Sequence, residues 1–145
     1  MVSVSKSNTF ENDFLKLIFQ ATAIANIADN ASSAPLTNLY IALHTADPGE
    51  GGSQTTNEAT YGGYARQAVA RTAGGFTVTA NSVSPAAAVN FPVASSGVET
   101  LTHFSIGTDV SGAGKILYKG AVAPTIAVVT GVIPQITAAS AVTED

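Results

Sequence analysis

The sequence predicts a mainly β fold: an antiparallel β-sandwich or jelly roll of about eight strands behind one N-terminal α-helix. Three observations carry this reading. Apolar residues between positions 10 and 27 recur with a 3.6-residue period. From residue 38 the period shortens to two. Beyond that, turn residues recur at roughly ten-residue spacing, as they do between short strands. A chain of 145 residues suits a single domain with its own core. The expected organisation is a flexible segment over 1–9 and a domain over 10–145, with helix 10–27 and sandwich 38–140.

Met1 to Thr9 are small and polar, hence the expected flexibility. Asn8 or Thr9 is placed to cap the helix, and Glu11 and Asp13 fall in its first turn, where the helix dipole favours negative charge. Phe10, Phe14, Leu17, Ile18, Ala21, Ile24, Ala25 and Ile27 form the main apolar face, with Leu15 and Phe19 off it. A helix apolar on several sides is usually covered on several sides. Phe10, Phe14 and Phe19 are therefore candidate interaction residues as well as candidate core. The stretch Ala28 to Leu36, with Asn30, Ser32, Ser33 and Pro35, ends the helix. It holds the glycosylation triplet Asn30-Ala31-Ser32, a pattern common by chance.

Leu39, Ile41 and Leu43 then alternate with Tyr40, Ala42 and His44, a strand pattern. A Gly- and Thr-rich loop runs from Thr45 to about Tyr61 and is expected to be solvated. Loops of this length are often functional, which makes Asp47, Glu50 and Glu58 candidate interaction residues. Arg66 is expected to be a structural charge paired with Glu58 or Asp47. Further strands are expected over 64–71, 75–80, 86–91, 99–107, 115–121, 125–129 and 132–137. Asp109 to Gly114 reads as a turn and Thr130-Gly131 as a hairpin turn. Pro134 assigns the last strand to an edge or a bulge. Val142 to Asp145 is expected to be an exposed tail.

Composition narrows the function. Only 11% of residues are charged, against about 25% in an ordinary soluble domain. So few charges suit a chain that packs against other chains. The net charge is −4 and the six Lys and Arg residues are scattered, so no nucleic-acid partner is expected. There is no Cys for a disulfide, a thiolate site or a thiol nucleophile. Phe14 to Ile27 is interrupted by Lys16, Gln20, Thr22 and Asn26, too short and polar to span a bilayer. No basic segment precedes it, so neither a signal peptide nor a membrane partner is expected.

A search for chemistry returns no catalytic signature. His44 and His103 are the only histidines. Each lies in an expected strand opposite Leu43 or Phe104, and both read as surface or interface residues. A zinc site needs three or four ligands, and no matching spacing is present. Composition alone leaves a Ser-His-Asp arrangement open, but there is no Gly-x-Ser-x-Gly elbow. Gly107 to Lys115 superficially looks like a phosphate loop. However, Asp109 stands where that loop needs Gly and Ile116 follows Lys115, so a glycine-rich hairpin is expected. Asp47, Glu50 and Glu58 lack the spacing of a calcium loop. No catalytic residue, cofactor or metal is expected, and the chain reads as a non-enzyme.

Three segments carry a family resemblance: LYIALHTADPGE (residues 39–50), TNEATYGGYAR (56–66), and THFSIG (102–107) followed by GAGKILY (112–118). In this order they resemble a family of small tailed-bacteriophage virion proteins often labelled tail-fibre proteins, similar also to capsid cement or decoration proteins of podophage heads. The resemblance implies a jelly-roll-like subunit made in the bacterial host cytoplasm and carried on the outer surface of the virion head. Its implied partners are the major capsid protein and copies of itself, in a symmetric homo-oligomer. Binding only the assembled shell would stabilise that shell by mass action. A tail component, fibre-associated or adaptor, is the alternative within the family. A carbohydrate-binding or hydrolytic jelly roll is the alternative from another class, weakened by the presence of only four Tyr and no Trp.

Overall fold

A computed structural model of the chain describes residues 6–24, 27–28 and 35–144. Residues 1–5 of the expected flexible start, helix positions 25 and 26, and the triplet 30–32 lie outside the described residues. The chain adopts the mainly β, antiparallel class read from the sequence, with one helix and sandwich-like sheets. The elements are α1 (Asn8–Gln20), β1 (Asn38–His44), β2 (Gln67–Ala70), β3 (Phe76–Thr79), β4 (Ser82–Pro85), β5 (Val89–Asn90), β6 (Glu99–Gly107), β7 (Ile116–Val128), β8 (Gln135–Ile136) and β9 (Val142–Thr143). They fall into two compact, interleaved units. Unit 1 comprises Met1–Thr37, Ala70–Ala87 and Thr137–Asp145, and unit 2 comprises Asn38–Val69 and Ala88–Ile136.

In unit 1 the helix begins two residues earlier than the expected residue 10 and stops well short of residue 27. Ser7, not Asn8 or Thr9, is the last extended residue (φ −79°, ψ 150°), and its hydroxyl accepts the Phe10 amide at 3.3 Å. At the other end Ala21 is left-handed, with φ 53°. Two further helical bonds would need the carbonyls of Leu17 and Ile18. Arg71 already occupies both, at 2.9 Å and 2.7 Å, and also donates to Leu36 O at 2.6 Å. The apolar period continues through Ile24, but a guanidinium some fifty residues away in sequence takes the acceptors that would prolong the helix.

The buried helix face is also the reverse of expectation. Leu15 and Phe19 are fully buried, while Phe10 is 40% exposed and Phe14, Leu17 and Ile18 are half-buried. Two side-chain amides set this orientation: Asn12 donates to Ala80 O at 2.7 Å and Gln20 to Phe76 O at 3.1 Å. The stripe Glu11, Leu15 and Phe19, spaced by four, then faces β3 and β4. Phe19 meets Phe76 edge to face at 4.9 Å. β3 and β4 form a hairpin, and β9 pairs with β4. The tail expected to be exposed is half-exposed and held in a sheet, with Glu144 N bonded to Asn81 O at 2.8 Å and Glu144 paired with Lys6 at 2.9 Å.

Unit 2 is built on a sheet of order β2-β1-β6-β7. β1 pairs with β6 from Tyr40↔Gly107 to His44↔His103. β7 is a single strand where two were expected on either side of Pro124. Its pairing with β6 shifts between Leu101 and His103, so the residue without an amide proton sits in a bulge. The turn at Thr130-Gly131 forms, with Val132 N bonded to Val129 O at 3.0 Å, but not the expected hairpin. β7 pairs with β6 instead, and β8 pairs with β5. Leu39, Ile41, Leu43, Phe91, Leu101, Ile106, Val128 and Ile136 form the buried core of this unit.

Candidate functional site

Cross-strand partners share a sheet face. The registers therefore place Tyr40, Ala42 and His44 of β1, Ser105 and His103 of β6, and Lys119 and Ala121 of β7 on one face of the unit 2 sheet. Parts of the loop 45–61 are bonded to this sheet and to Arg66 beside it at the four points below, while Asp47, Glu50, Thr55 and Asn57 stay exposed, so the expectation of a solvated loop holds only in part.

His44 is the first point. It is fully buried within the chain, where a surface or interface residue was expected, because the loop covers the polar side of β1. Its Nδ1 lies 2.9 Å from Thr56 O and its Nε2 2.8 Å from Ser105 Oγ. A carbonyl only accepts, so Nδ1 carries the proton and Nε2 accepts from the Ser105 hydroxyl. Burial is the main influence on the ring and holds its pKa below the ordinary value of 6.5. Serine and histidine stand as a nucleophile and its base would. Both are fully buried, so the pair ties the loop to β6 away from solvent.

The second point is Gln54, which sequence reasoning missed. It is fully buried. Its Nε2 donates to Tyr40 O at 3.2 Å, its Oε1 accepts the Asp109 amide at 3.0 Å, and its own amide donates to Gly114 O at 2.9 Å. A Cβ at Gly107 or at Gly114 would lie 2.2 Å from this side chain. Those two glycines were the available signal: they mark a close approach and not only a hairpin.

Third, Glu58 and Arg66 form the ion pair expected of them, and Asp47 takes no part. Nε reaches Oε1 at 2.6 Å and one terminal nitrogen reaches Oε2 at 2.8 Å, a bidentate pair. The Arg66 side chain is 2% exposed and that of Glu58 16%. Arg66 also donates to Asp109 O at 2.9 Å and Gly112 O at 2.7 Å, fixing the β6–β7 turn. Tyr64 donates to Glu58 at 3.0 Å and accepts the Leu43 amide at 3.1 Å. Burial raises the Tyr64 pKa, so its proton stays in place. Fourth, the Glu99 carboxylate takes the amides of Thr60 and Tyr61, each at 3.0 Å. No local pattern had marked Glu99 or Ser105.

Asp47 and Glu50 form a separate, exposed cluster around Lys119, at 3.0 Å and 3.4 Å. The Gly49 amide and then Lys119 hold the Asp47 carboxyl below its usual range. A cavity of about 300 Å³ lies between residues 49–52 and 116–119. The structure therefore divides the three loop carboxylates, with Glu58 facing Arg66 and the other two facing Lys119. The candidates Phe10, Phe14 and Phe19 all belong to unit 1.

The family model described as podophage GP4 fiber I protein gp80 matches residues 5–143. No curated protein matches the chain. With nearly its whole length matched, the chain belongs to this family of fibre-type phage virion structural proteins.

Proposed function

We propose that the chain is a structural subunit of a podophage fibre and acts by assembling with other virion proteins and with copies of itself, without catalysis. The family match carries this reading, because it spans both units and not one module. The internal polar chemistry supports it. Glu58, Arg66, His44, Ser105 and Gln54 are all spent on clamping the loop 45–61 to the sheet. Such clamping yields a rigid subunit, which a repeating assembly needs. The Ser105–His44 pair, sealed from solvent, fits a non-enzymatic role.

The second reading places the chain on the outer head surface as a cement protein contacting the major capsid protein. It rests on the likeness of residues 39–50, 56–66 and 102–118 to podophage decoration proteins. Gold-labelled antibody against this chain, applied to intact virions, separates the two. Label on fibres is the expected result. Label over the whole shell would move the assignment to the capsid surface. Absence of the chain from virions, checked by mass spectrometry of purified particles, would overturn both readings.

A further inference from the structure

The chain contains one Asp-Pro bond, between Asp47 and Pro48. Such a bond is chemically labile. The proline nitrogen belongs to a tertiary amide, which leaves more readily than a secondary one, and an aspartate carboxylate reaches its own carbonyl carbon by closing a five-membered ring. The fold gathers three groups around this bond. The Gly49 amide donates to Asp47 Oδ1 at 2.8 Å, an Asx turn that folds the carboxylate back over the 47–48 peptide unit. The Asn57 side-chain amide donates to the Asp47 carbonyl oxygen at 3.1 Å, where negative charge would develop under attack. The Lys119 ammonium stands 3.0 Å from the Asp47 carboxylate and 3.4 Å from that of Glu50.

We infer that Asp47, Pro48 and Lys119 form a self-modifying site, which exchanges the Asp47–Pro48 peptide bond for an amide between Asp47 and Lys119. The carboxylate attacks the Asp47 carbonyl carbon, and a cyclic anhydride forms as the bond to Pro48 N breaks. The departing nitrogen takes a proton from the Lys119 ammonium. Lys119, now a free amine, attacks the anhydride at the side-chain carbonyl, which forms the amide and regenerates one carboxylate. The proton it sheds passes to the Pro48 amine, which ends as an ammonium. No water or other reactant is consumed and the net charge is unchanged. The charges favour this order of events. The Gly49 amide and Lys119 keep Asp47 as the carboxylate, the nucleophilic form, and Asp47 in turn keeps the proton on Lys119. Closing the anhydride removes that negative charge, so Lys119 gives up its proton at the step that needs an amine. Asp47 is 52% exposed, so water competes for the anhydride. A neighbouring amine wins because well-oriented groups act at an effective concentration of about 10⁵ M or more. Asp47 follows β1 and Lys119 lies in β7, with β6 between those strands. The new amide therefore braces the sheet across β6, in a chain with no cysteine for a disulfide. The inference needs no partner and fails separately from the structural role.

Tryptic peptide mapping by mass spectrometry tests it on the purified full chain, incubated at neutral and at mildly acidic pH. In the unreacted chain residues 17–66 form one tryptic peptide, and trypsin cuts after Lys119. The expected product is a free peptide 48–66 that begins with proline, together with peptide 17–47 joined through Lys119 to peptide 116–145. Lys119→Arg keeps the charge but removes the amine, and should give no joined peptide. Asn57→Gly removes the donor to the carbonyl while accepting the left-handed φ of 54° at that position, and should slow joining by about tenfold or more. Circular dichroism checks that both variants stay folded. Joining should cease in urea, where the groups are no longer held together, which separates this site from the acid lability of any Asp-Pro bond. A 17–66 peptide that stays whole, cleavage without joining, or joining at the same rate in urea overturns the proposal. An unjoined chain still found in virions would leave the structural role standing.

Discussion

Replacing Glu58 with Gln tests how the loop is held. The Arg66 side chain is 2% exposed, so water has little access to replace a lost partner. It makes two bonds to the carboxylate and two to the carbonyls of Asp109 and Gly112. Glutamine keeps one acceptor and removes the charge. Losing one charge-assisted bond costs about 1.5–3 kcal/mol, and breaking a buried pair on one side costs about 3–5 kcal/mol. A loss of about 3 kcal/mol is expected, reduced from the upper figure because the two carbonyls still bind the guanidinium. Urea unfolding followed by tyrosine fluorescence at pH 7 reads this, the chain having no Trp. Arg66→Met should cost a similar amount by leaving the carboxylate buried. The double variant should fall short of the sum by about 2 kcal/mol, since neither charge is then stranded. A loss below about 0.5 kcal/mol in Glu58→Gln, or strict additivity, would refute the view that this pair clamps the loop.

Other consequences follow from the same geometry. Because burial lowers the His44 pKa below 6.5, the unfolded chain takes up the proton more readily; its contribution to stability is full above pH 6.5 and is lost as pH falls towards the folded value, by up to about 1.4 kcal/mol per pH unit. His44→Asn should flatten that slope in pH-dependent urea unfolding. Gly107→Ala should cost about 2–3 kcal/mol in the same assay, because its Cβ would sit 2.2 Å from Gln54, and adding Gln54→Ala should recover part of that loss. Phe19→Ala should destabilise unit 1 by about 3–5 kcal/mol by opening a cavity, whereas Phe10→Ser should change stability by under about 1 kcal/mol. Arg71→Ala should raise helical circular dichroism, because it frees the carbonyls of Leu17 and Ile18 to accept further helical bonds.

The parts of the fold that were legible in the sequence are those whose signal is local. β6 matches its expected bounds because His103 and Ser105 alternate with Phe104 and Ile106, and β1 and β3 lie within a residue of theirs. β4 was missed because Ser-Val-Ser-Pro offers one apolar residue, and β9 because two residues carry no period. β7 was divided at Pro124 because a bulge that tolerates proline depends on the partner strand. The helix terminus and its buried face were misread for a related reason: Arg71, Asn12 and Gln20 settle both through contacts distant in sequence. In the site, Glu58 and Arg66 were recognisable because isolated charges in a charge-poor chain need partners. His44 was read as a surface or interface residue because alternation assigns a strand's faces but cannot reveal that a loop of the same chain covers the polar one.

The most direct test of the central claim is a reconstruction of the virion by electron cryomicroscopy at a resolution that traces strands. The account predicts density for the β2-β1-β6-β7 sheet with its clamped loop repeating along a fibre. Strand density from this chain repeating instead over the icosahedral shell, or missing from the particle altogether, would contradict it.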